Sequence, residues 1–124
     1  MIYIENDIIF INRSDDGMVN VDLVYETGDP YVMDEGDILT FTVRKKPSKD
    51  SEVLLEKQSS PGLIEIAIDS SDTSDLEVGL YSADIQLVTA HGKRITVWPK
   101  LKGSQRSHEL NFKNFCLMPE VTRT

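Results

Sequence analysis

At 124 residues and 14.0 kDa the chain has room for one domain, with 40% hydrophobic residues to build a core and 27% charged residues to cover it. No apolar run exceeds four residues, which excludes a helical membrane span, and MIYIENDIIF has neither the basic start nor the small-residue cleavage site of a secretory leader. One cysteine, Cys116, excludes an intrachain disulfide and points to a reducing compartment, while thirteen basic against twenty-one acidic residues, net −8, argue against a phosphate backbone as direct partner.

In chain order, Asp7–Asn12 is a short apolar run. Met18–Tyr25 alternates with Val19, Val21 and Leu23 on one face. Arg13–Gly17 between them carries an Asp-Gly pair, so the two segments are expected to form a hairpin. Ile38–Lys45 alternates, with Leu39, Phe41 and Val43 on one side; after a loop holding Pro47, Val53–Gln58 is its expected hairpin partner. Leu63–Ile68 places Ile64, Ile66 and Ile68 together. Asp69–Ser74 is a polar loop in which Ser71 or Asp72 can cap one helical turn through Leu76. Gly79–Thr89 is the longest expected strand, with Tyr81, Ala83, Ile85 and Leu87 on one face. His91-Gly92 turns it into Lys93–Trp98, and Asn111–Met118 is the last strand.

These elements predict a single domain over residues 1–124, all-β, of about eight strands. An antiparallel β-sandwich, immunoglobulin-like or jelly-roll-like, buries the apolar faces of such a chain, whereas a lone sheet leaves one of them wet. Leu39, Phe41, Val43, Ile64, Ile66, Tyr81, Ile85 and Leu87 are the expected core.

Chemistry-bearing residues are sparse. His91 and His108 fall in expected turns, seventeen residues apart, with Cys116 as the only soft partner, too few for a zinc site. Cys116 lies mid-strand without a base to form its thiolate and reads as a buried structural thiol. The acidic groups Asp15-Asp16, Asp34-Glu35-Gly36-Asp37 and Asp69/Asp72/Asp75 match no calcium loop, and each coincides with a turn that Asp stabilises. Tyr3, Tyr25, Tyr31, Tyr81 and Trp98 are spread over several elements, which favours packing over a sugar-stacking platform. No catalytic residue, metal or cofactor is expected. Charge is uneven: residues 1–99 hold eight basic and nineteen acidic side chains, net −11, and residues 100–124 carry net +3. An acidic body with a basic end can drive head-to-tail contacts between copies, but ordinary fluctuation of surface charge is the favoured reading.

From Asp37 onward, GDILTFTVRKKPSKDSEVLLEK, IEIAIDSSDTSDLEVGLYSADIQLVTAHGKRITVWP and the closing FCLMPEVTR resemble small structural proteins of tailed bacteriophages and prophages of Gram-positive bacteria. A related pattern occurs in the N-terminal domain of phage upper baseplate proteins. The resemblance implies a β-sandwich that works by protein–protein contacts, as a head, neck, tail or baseplate component, in the host cytoplasm or the virion. Residues 99–111 depart from it by being longer and more basic, and no fibre region follows Thr124, so an accessory protein is expected rather than a receptor binder. The competing expectation is an acidic phage-encoded inhibitor of the anti-CRISPR type, presenting carboxylates to the basic nucleic-acid channel of a host nuclease. Asp34, Glu35 and Asp37, three carboxylates within four residues, are the expected partner-binding group.

Overall fold

The alternation in the middle of the sequence sets the centre of the structure. In β4 (Ile38–Arg44), Leu39, Phe41 and Val43 are fully buried, while Ile38, Thr40, Thr42 and Arg44 on the opposite face are only partly covered. β7 (Gly79–Val88) does the same with Tyr81, Ala83, Ile85 and Leu87 inward. A computed structural model describes residues 2–5, 8–24, 27–46, 50–98 and 113–119. In it β4 and β7 pair antiparallel from Ile38↔Val88 to Arg44↔Ser82. β5 (Val53–Gln58) completes the expected hairpin with β4, and β8 (Arg94–Trp98) completes the one with β7. At that second turn Gly92 takes φ +87°, which a side chain resists, and donates its N–H to the Thr89 carbonyl at 2.9 Å.

The described residues form an all-β protein: nine strands and one helical turn, α1 (Ser70–Thr73). The larger sheet runs β1 (Ile2–Glu5), β2 (Ile8–Asn12), β9 (Phe115–Met118), β7, β4, β5, with β8 also on β7; β3 (Gly17–Asn20) and β6 (Glu65–Ile68) form a second, two-stranded sheet. The inward faces of both contribute to one core that includes Ile9, Ile11, Phe41, Phe115 and Leu117 from the large sheet and Val19, Ile66 and Ile68 from the small one. Each fully buried side chain of this size contributes about 1.5–3 kcal/mol.

Four expectations change. The pairing is not antiparallel throughout, because β2 lies parallel to β9 (Ile9↔Phe115 to Asn12↔Met118), and the sheets are unequal, seven strands and two. The expected hairpin of residues 7–12 with 18–25 does not form: β2 pairs with β1 and β9, and β3 with β6. Its turn is bonded elsewhere. Ser14, at φ +67°, donates its N–H to the buried Thr73 Oγ1 at 2.9 Å, and Asp16 accepts the Ser70 N–H at 2.6 Å. Docking on α1 directs the chain away from β2. Ile64, third, precedes β6 and is 39% exposed, whereas Ile66 and Ile68 are buried as expected. The helical turn is capped earlier than expected: Asp69 is its N-cap, two residues before Ser71 and three before Asp72, and Asp72 reaches back to the Asp69 N–H at 2.7 Å.

β8 and β9 lie in line on the same edge of β7. Trp98 stands opposite Ile85, and Phe115 opposite Tyr81. Between them Asn114 acts as a ladder residue through its side chain, accepting the Ala83 N–H at 2.7 Å and donating to the Ala83 carbonyl at 2.8 Å, while its own carbonyl accepts the Ile9 N–H at 2.8 Å. This buried amide ties β7 to both β9 and β2.

Candidate interaction surfaces

The expected partner-binding group separates into two kinds of residue. Asp34 and Glu35 are exposed. Asp37 is 1% exposed, enclosed by its own loop near the molecular surface rather than deep in the core. Its carboxylate accepts the Tyr31 hydroxyl at 2.7 Å, the Asp34 N–H at 3.0 Å and the Ala90 N–H at 3.0 Å, so it joins the acidic turn to the β7–β8 turn. Gly36 permits the approach, since a β-carbon there would stand 2.8 Å from that of Ala90. Asp37 is thus a structural tie, and the exposed carboxylates of the acidic turn are those of Asp34 and Glu35.

Those bonds, led by that from Tyr31, hold the Asp37 carboxyl below its ordinary value of 3.8 against the opposing effect of burial. A carboxyl whose pKa is lower folded than unfolded stabilises the fold above the unfolded value and loses that contribution as pH falls through the folded one. Asp37→Asn is therefore expected to lower the melting temperature at neutral pH and to flatten the acid side of the stability curve below about pH 4. Melting curves of both proteins across the acid range check this. Asp84 acts in the opposite sense. Burial on the outer face raises its pKa, Arg44 partly offsets the rise, and its protonation favours folding as pH falls.

The outer face of the large sheet, turned away from the core, has two characters. Across β5, β4, β7 and β8 it forms a polar groove of about 280 Å³ whose walls include Thr40, Thr42, Glu56, Gln58, Gln86 and Arg94. Across β2, β9 and β7 it is apolar: Phe10, Cys116 and Leu80 stand in register in one row, Leu80 being 52% exposed, with Val78 at 43% just before β7. Alternation produces both halves, because the residues between them are the core positions.

The other residues singled out in the sequence stay apart. His91 is exposed on the β7–β8 turn, and His108 and Tyr25 lie outside the described residues. Cys116 is only half-buried, not buried as expected, because it falls on the outer face in the apolar row between Phe10 and Leu80. Asp72 and Asp69 bind the Lys57 ammonium at 3.0 and 3.4 Å and, Asp72 first, raise its pKa. Among the described residues no three His, Cys, Asp or Glu side chains converge as a metal site. Tyr81 and Trp98 pack with the core, Tyr81 edge-on to Phe115 at 6.4 Å and bonded through its hydroxyl to the Glu77 carbonyl. Asn114 and Thr73 were not legible as key residues, since both act on partners far away in sequence. No family model, curated protein or solved structure matches this chain.

Proposed function

We propose that this chain is a non-catalytic protein–protein interaction module, a structural or accessory component of a tailed-phage or prophage virion. The observation that supports this most is the apolar row Phe10–Cys116–Leu80 on the outer face of the large sheet, extended by Val78, in which Leu80 and Val78 are 52% and 43% exposed. Its partners are other virion subunits and further copies of itself, met in the host cytoplasm during assembly. The task asks no chemistry of the domain, only a stable sheet framework and repeated weak contacts that symmetry multiplies. Mass spectrometry of purified particles from a producing host tests the reading: the chain is expected in fixed ratio to the other particle proteins. Its complete absence from particles overturns the reading.

The exposed pair Asp34 and Glu35 favours a second reading, an acidic inhibitor of a basic host nuclease. Under it, Asp34→Asn with Glu35→Gln weakens nuclease binding. The effect shrinks as salt rises from about 0.05 to 0.5 M, where the screening length falls below roughly 5 Å. Asp37 is left intact in that test because its carboxylate holds the turn together.

A further inference from the structure

We infer that copies of this chain associate edge to edge, β8 of one pairing with β5 of the next. This deepens the assembly reading and rests on it. β8, β7, β4 and β5 form an antiparallel four-strand run with β8 at one end and β5 at the other, and neither outer edge has a strand partner among the described residues. An even number of alternating strands brings β8 of a second copy antiparallel to β5 of the first, so the alternation continues across the junction.

Backbone and charge agree with that geometry. The Thr89 N–H donates to the Lys93 carbonyl at 2.9 Å, so the ladder alternation turns the backbone groups of Arg94 and Thr96 away from β7, toward the edge that no described strand covers. β8 and its turn present Lys93 and Arg94, both exposed. β5 and its approach present Glu52 and Glu56, also exposed, while the one cation on β5, Lys57, is held by Asp72 and Asp69. Glu56 and Arg94 lie on the same outer face, at opposite walls of the polar groove, and neither has a partner among the described residues. Joining two copies places Glu56 of one on the strand beside Arg94 of the other, an opposite-charge pair across adjacent strands. Such a contact is heterologous: each copy uses one edge and leaves the other open for the next.

Sedimentation velocity from micromolar to millimolar protein tests this on the whole chain. The sedimentation coefficient is expected to rise with concentration and to fall back with added salt. R94E alone and E56R alone are each expected to weaken self-association about tenfold or more. An equimolar mixture of the two variants is expected to restore it, since each supplies the charge that the other's edge requires. T96P removes an outward backbone donor and none of the ladder bonds to β7, so it is expected to abolish association with the melting temperature nearly unchanged. A chain that stays monomeric throughout, or single charge variants that associate like the parent, overturns the inference. Particle content separates the two failures. A monomeric chain found in virions defeats edge pairing alone, and edge-paired chains absent from virions defeat the virion assignment alone.

Discussion

Phe41→Ala is expected to cost about 3–5 kcal/mol in denaturant unfolding, the range for removing a large aromatic side chain from a core that cannot fully collapse. Phe41 is completely buried at the middle of β4, between the ladders to β5 and β7, and its ring lies 5.9 Å from that of Phe115 on β9. The truncation thus removes a contact between strands that are not neighbours, and the cavity it leaves is walled by Phe115. Against a typical total stability of about 5–15 kcal/mol, such a loss leaves a marginal domain. A loss under about 1 kcal/mol would mean that the face of β4 turned toward the core is the other one.

Asn114→Ala is the second large effect. It leaves the Ala83 N–H and carbonyl without partners in a place where Asn114 itself is 3% exposed. At about 1–3 kcal/mol for each of the two orphaned buried groups, the expected loss is about 2–6 kcal/mol. Asn114→Asp separates the two bonds. A carboxylate still accepts from the Ala83 N–H but faces the Ala83 carbonyl with a second acceptor, which penalises the ionised form. The introduced carboxyl then has a raised folded pKa, so the variant regains stability as pH falls through that value and the group becomes a donor. Chemical denaturation near neutral pH and near pH 4, with hydrogen exchange at the Ala83 amide, reads both effects.

What the sequence made legible follows the range of the interactions. The β4–β5 and β7–β8 hairpins join segments close in the chain, with period-two alternation and a turn residue suited to each, and both form as expected. The inward faces of β4 and β7 were equally plain, since Leu39–Phe41–Val43 and Tyr81–Ile85–Leu87 alternate without interruption. The parallel pairing of β2 with β9 joins residues more than a hundred positions apart, and nothing local in IIFIN names that partner. Asp-Gly in Arg13–Gly17 suggested a hairpin correctly in local terms, but the hydroxyl of Thr73 and the carboxylate of Asp16 offered that turn and α1 a better arrangement. In the acidic group the signal was composition, which reports charge and is silent on enclosure. Asp37 is set apart from Asp34 and Glu35 by the Asp34 N–H within the turn and by Tyr31 and Ala90, which reach it from outside the turn.

The in-line placement of β8 and β9 gives the chain a socket. Trp98 and Asn114 sit opposite Ile85 and Ala83, two positions apart on β7, a span of roughly 7 Å. One short stretch of β7 therefore sets the separation of Trp98 from Asn114, and the same strand holds both seams in register.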